Sequence, residues 1–110
     1  MMKAGYTEKQ IGKAKIALKF GTNAFAELCE MHDRSDMNAI DEILNSASGV
    51  RDLIFCAGKV ASLAAGKDFK FNKYQIGDWL DEMSEADYAD ILKTMRSTRV
   101  LGQGVEVEKK

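Results

Sequence analysis

Hydrophobic positions are densest between Val50 and Ala65, in the stretch VRDLIFCAGKVASLAA. On a helix with about 100° per residue, its apolar side chains cover an arc of roughly 200°, whereas an ordinary surface helix shows a stripe of about 100°. A helix with so wide an apolar arc needs more than one neighbour to cover it. The pattern therefore predicts the central helix of a small bundle, with Ser48 as N-cap and Gly66 as the C′ glycine.

Phe55 does not fit this apolar arc. It falls among Arg51, Lys59 and Ser62 on the polar side of the predicted helix, to which Asp52 also belongs. A large exposed ring in such a position is covered either by a loop of the same chain or by another protein. Phe55 is therefore a candidate for partner binding, with both alternatives open.

The first 20 residues allow two interpretations. Thr7 and Gln10 have the spacing of a capping box, which would begin a helix. Between Ala14 and Phe20, however, apolar residues occupy every second position, which is typical of a half-buried strand. We prefer the strand, as the second arm of a short hairpin that turns near residues 12–13.

Helical spacing with N-cap residues predicts two helices before the central one. The first runs from Thr22, as its cap, to about His32, and the second from about Met37 to Ala47, with a cap at residue 35 or 36. Short connections between successive helices favour antiparallel packing.

Two further helices follow the central one. Asn72 is predicted to cap the fourth, whose apolar face includes Trp79, and Ser84 with Asp87 forms a variant capping box for the fifth, which frays near residue 99. Before Asn72, Phe69 and Phe71 alternate with lysines. That segment is either a short strand or a loop whose rings lie over the bundle.

These elements predict a mainly α fold, a small five-helix bundle with a short N-terminal strand or hairpin. Residues 1–14 form an N-terminal arm or first hairpin strand, residues 15–99 the helical domain, and residues 100–110 a flexible C-terminal tail that includes GQGVEVEKK. The partner-binding candidates are its prominent aromatic residues Phe55, Phe69, Phe71 and Trp79.

Composition limits the classes of partner. Sixteen Lys and Arg against 17 Asp and Glu give a net charge of −1, so no bulk electrostatic attraction draws the chain to nucleic acid or anionic lipid. The central helix is too short and too charged to span a membrane. Cys29 and Cys56 without a secretory leader predict reduced thiols in a cytoplasm.

The search for catalytic or metal-binding motifs yields little. Cys29 and His32, three residues apart, are half of a possible metal site, but a core cysteine beside a partly exposed imidazole is the preferred interpretation. The carboxylates from Asp78 to Asp90 form a solvated face, and the glycines at 102 and 104 have no following helix to bind phosphate. We therefore expect no cofactor, no metal and no enzymatic activity.

The order of the segments adds a resemblance. The stretch KIALKFG leads into TNAFAELCEMHD, and after a short helix come VRDLIFCAGKVA, a loop and NKYQIGDWLDEMSEADYADILKTM. Over about residues 15–96 this resembles the tail assembly chaperones of long-tailed bacteriophages. The matching positions are Leu18 to Gly21 for a Lys-Phe-Gly turn after a strand, Phe25 to Leu28 for an "ALxEL"-like segment, Leu53 to Ala57 for an "LxxLIxAGL"-like helix, and Ile76 to Asp81 for an "xxIxDWLD"-type helix.

The resemblance implies a non-catalytic protein that binds the tape-measure protein, keeps its apolar helices soluble and brings tail-tube subunits to it. It also implies self-association, action in the host cytoplasm and absence from the finished virion. In many such phages a longer product arises by frameshifting, and the terminal Lys109 and Lys110 offer codons for it. The alternative is a small intracellular adaptor or regulator with one protein partner; DNA binding is less favoured.

Overall fold

The computed structural model describes residues 5–11, 14–34, 39–100 and 103–104. Most of these residues lie in helices, so the predicted mainly α fold with an N-terminal hairpin is confirmed. The elements are, in order, β1 Tyr6–Ile11, β2 Ala14–Lys19, α1 Thr22–Met31, α2 Ala39–Ile43, α3 Ala47–Ala64, α4 Lys73–Glu82, α5 Glu85–Arg96, β3 Arg99–Val100 and β4 Gln103–Gly104. None of the described helices has both the length and the apolarity required to cross a bilayer.

β1 and β2 form an antiparallel hairpin, paired from Tyr6 opposite Lys19 to Ile11 opposite Ala14. The alternation along β2 buries Ile16 and Leu18 and leaves the lysines on the other face exposed. The strand interpretation is confirmed, and a capping box at Thr7 is excluded because that residue lies within β1. The predicted turn at residues 12–13 lies outside the described part of the chain.

Phe20, directly after β2, ties this hairpin to the far end of the chain. Its amide N–H donates to the carbonyl oxygen of Gly5 at 2.7 Å, and its carbonyl oxygen accepts from Thr98 Oγ1 at 2.6 Å. Gly5 has φ +81°, and a Cβ there would lie 2.3 Å from the Phe20 carbonyl oxygen. Glycine is required at this crossing both for its backbone conformation and for the close approach.

α3 is the central helix, as predicted. It packs against β2, α1 and α4, and buries Leu53, Ile54, Cys56 and Ala57 completely. Its end is also as predicted: Gly66 has φ +73°, the Gly66 N–H donates to the Leu63 carbonyl, and the Lys67 N–H donates to the Ser62 carbonyl. This is the Schellman arrangement that a C′ glycine permits.

The start of α3 corrects one prediction. Its N-cap is Ser46, whose Oγ accepts a hydrogen bond from the Gly49 N–H at 3.0 Å, and not Ser48. The apolar pattern begins at Val50, but a full helical turn with little apolar content precedes it. Ala47, expected to end the second helix, therefore belongs to α3.

The other helix boundaries agree in part. Asn72 caps α4 in a capping box with Gln75, and Ser84 Oγ accepts from the Asp87 N–H at 3.1 Å at the start of α5. Thr22, predicted as a cap, is instead the first residue of α1, after Gly21. α2 is described only from Ala39 to Ile43, and its predicted start at Met37 and its caps at residues 35 and 36 lie outside the described residues.

α5 ends at Arg96, slightly before the expected end near residue 99. Beyond it, Arg99–Val100 pairs antiparallel with Gln103–Gly104. This short pairing falls at the start of the predicted flexible tail of residues 100–110, whose flexibility stays a prediction. Residues 105–110 lie outside the described residues.

Candidate functional site

The four aromatic candidates occupy two separate places. Phe55, Phe69 and Phe71 form one group, which we call the phenylalanine cluster: the ring centroids of Phe55 and Phe69 are 5.6 Å apart, and those of Phe69 and Phe71 are 5.7 Å apart. The interplanar angles of 60° and 57° are tilted arrangements that aromatic pairs favour. Trp79 lies elsewhere.

A loop of the same chain covers Phe55. Residues 67–72 have no regular secondary structure and place the Phe69 ring over α3, where Gly58 leaves room for it. A Cβ on Gly58 would lie 2.7 Å from Phe69 Cζ. The loop alternative is thus confirmed for the segment and for the covering of Phe55, although all three rings remain half-exposed.

Beside the phenylalanine cluster runs a cleft of about 470 Å³ between the hairpin, the end of α3 and the loop. We call it the lysine cleft, because Lys15, Lys67 and Lys70 line it together with Phe69 and Phe71. Its aromatic and cationic side chains can contact a partner surface, but its rings already pack on one another.

Trp79 is part of the core. Its side chain is almost fully buried, and its indole N–H donates to the Gln10 carbonyl at 3.0 Å. A buried indole commonly finds such a partner, and here the bond fixes α4 to β1. Because Trp79 is neither exposed nor near the phenylalanine cluster, its position offers a partner no contact surface.

A larger cleft, of about 820 Å³, lies between the start of α3 and α4. We call it the α3–α4 cleft. Apolar side chains form the floor of the cleft, and polar side chains form its margins. The lining residues are 44–48, Val50, Arg51, Tyr74, Gly77, Asp78, Leu80, Asp81 and Tyr88. Leu44, Val50 and Leu80 are half-buried, and 67% of Tyr74 is exposed. These apolar groups face water that a partner can displace.

A polar network holds the α3 wall of this cleft. The Asp52 carboxylate accepts from Arg51 Nε at 2.9 Å through Oδ1 and lies 3.0 Å from His32 Nε2 through Oδ2. The Arg51 guanidinium also lies 5.6 Å from the centroid of the Tyr74 ring. Asp52 was expected on the polar face of α3 but is only 4% exposed, because His32 and Arg51 supply the partners that make its burial tolerable.

The predicted half metal site gains no further ligand. His32 pairs with Asp52, and no cluster of three or more His, Cys, Asp or Glu suited to a metal occurs in the described ranges. Cys56 is buried and its Sγ lies 3.4 Å from Met31 Sδ. Burial raises the pKa of the Cys56 thiol to about 12, with the nearby Glu27 and Asp52 charges adding to the effect. It is thus a structural thiol.

The carboxylates of α4 and α5 lie at the surface, as expected. Two of them are paired: Lys9 Nζ lies 2.6 Å from Asp90 Oδ2 and 3.6 Å from Asp87 Oδ1. The hydrogen bond from Lys9 holds the pKa of Asp90 below its usual range. Asp78 and Asp81, in contrast, line the α3–α4 cleft.

Comparison of the chain with protein-family models, with curated protein sequences and with solved structures yields no match in any of the three. The residues that sequence reasoning missed are those of the α3–α4 cleft, above all Tyr74. A signal for Tyr74 was present, since a tyrosine two residues after the Asn72 cap lies one turn before Asp78 and two turns before Asp81 on the same helix. Its contact with the distant Arg51 is one that no local pattern reveals.

Proposed function

We propose that this protein is a non-catalytic tail assembly chaperone of a long-tailed bacteriophage. In this role it binds apolar helices of the tape-measure protein, recruits tail-tube subunits, forms homo-oligomers, acts in the host cytoplasm and is absent from the mature virion. The segment order over residues 15–96 supports the family, since β2, α1 and α3 follow one another in the strand–helix–central helix order that the resemblance implies.

The observation that carries the proposal is the α3–α4 cleft. An open channel of about 820 Å³ with an apolar floor suits side chains from one face of a helix, inserted at intervals of three and four residues. The ring of Tyr74 is exposed, and the outer part of Leu80, which otherwise packs against the core, adds to the contact area. A holder of apolar helices requires such a surface.

The direct test is co-expression with the tape-measure protein encoded in the same genome. We expect wild-type chain to keep that protein in the soluble fraction and to co-purify with it. Tyr74→Ala should lower the soluble yield of that protein severalfold, because it removes apolar contact from the cleft. Leu63→Ala, at an α3 residue that is 60% exposed and lines neither cleft described above, is the matched control and should behave as wild type.

Two results would contradict the proposal. One is a genome with no long helical tape-measure gene near this one. The other is a tape-measure protein whose solubility does not depend on this chain. Stoichiometric capture of one folded host protein in place of it would support the adaptor alternative.

A further inference from the structure

The polar margin of the α3–α4 cleft has a consistent sign. Between Tyr74 and Leu92 the chain has six carboxylates and no lysine or arginine. Of these, Asp78 and Asp81 lie on the cleft, and both are exposed. Within the described ranges, no lysine or arginine nitrogen lies within 4.0 Å of either carboxylate, whereas Asp87 and Asp90 are paired with Lys9.

Arg51 does not cancel this charge. It lines the same cleft, but its Nη2 lies 2.9 Å from Asp52 Oδ1 and its guanidinium also packs on the Tyr74 ring. Its positive charge is therefore balanced by a carboxylate behind the cleft wall. The two aspartates at the margin remain available to a ligand, next to the apolar floor.

We infer that the α3–α4 cleft binds a cationic amphipathic helix, with leucine-like side chains on the floor and lysines or arginines against Asp78 and Asp81. Charge complementarity favours a cationic helix over an anionic one, because like charges at an interface oppose binding. The inference rests on the proposed function, since it specifies which helices of a partner the chaperone holds.

The test uses three fluorescent peptides of equal length with the same leucine face and with polar positions that are all Lys, all Gln or all Glu. We expect fluorescence anisotropy to rank affinities Lys over Gln over Glu, with the Lys peptide at least about tenfold tighter than the Gln peptide at low salt. Raising the ionic strength toward 1 M, where the Debye length is about 3 Å, should remove most of that difference.

Matched variants locate the charge effect. Asp78→Asn with Asp81→Asn should reduce the affinity for the Lys peptide about tenfold and leave that for the Gln peptide unchanged. Glu30→Gln with Asp68→Asn removes the same charge from exposed positions away from the cleft and should change neither. Because all four residues are exposed, circular dichroism and thermal melts should be the same for both double variants and wild type.

Several outcomes would overturn the inference. They are equal affinity for the three peptides, absence of binding by the Lys peptide, an equal loss in both double variants, or a dimer that occupies the cleft and excludes the peptides. Each leaves the co-expression result to decide the proposed function separately. Equal affinities with full tape-measure solubilisation would mean a chaperone that does not select by charge.

Discussion

The phenylalanine cluster and the α3–α4 cleft lie at different points along one helix and use similar side chains for opposite purposes. In the cluster, rings from the loop and from α3 pack on each other at centroid distances of 5.6 and 5.7 Å. In the cleft, Tyr74 contacts Arg51 but keeps two thirds of its surface exposed. Aromatic content alone therefore does not identify a binding surface; what matters is whether the chain covers its own rings.

The difference has a local cause in two glycines of α3. Gly58 makes room for a ring, so the loop can close over the helix. Gly49 makes room for a backbone carbonyl, that of Ile43, and thereby brings the end of α2 against the start of α3. This close junction forms a wall of the cleft, and no segment among the described residues folds across it.

The largest expected effect comes from Gly49→Ala. The new Cβ would lie 1.8 Å from the Ile43 carbonyl oxygen, and because backbone cannot move cheaply we expect a loss of about 3 kcal/mol in unfolding free energy. Gly58→Ala is the matched change at the phenylalanine cluster. Its Cβ would contact the tip of the Phe69 ring, which can move, and the gain in helix propensity of about 1 kcal/mol offsets the crowding, so we expect little change in unfolding free energy. Urea unfolding of both variants measures these free energies, and an equal loss in Gly49→Ala and Gly58→Ala would contradict the prediction.

Phe55→Ala should destabilise the fold by about 2 kcal/mol, roughly half the cost of truncating a fully buried phenylalanine, because the ring is half-buried against Phe69. Binding of the cationic peptide should be unchanged. Chemical denaturation together with peptide anisotropy separates the two effects. If binding fell while stability stayed constant, the cluster and not the cleft would be the contact surface.

A third effect tests how well α3 is closed to water beneath these surfaces. The pKa of Cys56 is raised from 9.0 to about 12, so the folded state retains the thiol proton longer than the unfolded state does. The stabilisation is fully present below pH 9 and is lost as pH rises toward 12, with a slope of at most about 1.4 kcal/mol per pH unit. Cys56→Ala lacks this contribution, so the unfolding free energy of wild type minus that of the variant should decrease between pH 9 and about 12. If the two free energies changed in parallel with pH, the thiol would be solvated.

The smallest expected effect on stability is that of Tyr74→Ala, within about 0.5 kcal/mol, because most of the ring is exposed and its cation–π contact with Arg51 is at the surface. Its effect on peptide affinity should nevertheless be severalfold. Thermal melts and anisotropy on the same sample check the pair. A large loss of stability would show that Tyr74 belongs to the packed part of the molecule.

Local patterns predicted what local chemistry decides. The alternation before Phe20, the Asn72 cap and the glycine at position 66 each depend on a few neighbouring residues, and each was found as expected. The cleft and the buried Asp52 were not predicted. They depend on pairs far apart in sequence, such as His32 with Asp52, and helical periodicity carries no information about which helix supplies the partner.

Trp79 was placed correctly on an apolar helix face, and its side chain is almost fully buried. A helical wheel shows that the indole lies on the apolar face of the helix. It does not show whether the segment that packs against the indole belongs to the same chain or to another. Here the filling segment is β1, 69 residues earlier. The loop that carries Phe69 was easier to predict, because it follows directly after the end of α3, the helix that contains Phe55.

The bonds that fix the hairpin have a consequence for how the chain folds. The Trp79–Gln10 and Thr98–Phe20 hydrogen bonds join residues 69 and 78 apart, so they form only after α4 and the residue after α5 have been made. At about 5–20 residues per second, the later segments follow after roughly 4–16 s. A two-stranded hairpin alone is marginal in water. Because β2 packs on α3, which is made before α4, we expect the hairpin to dock on α3 first and these two bonds to close last.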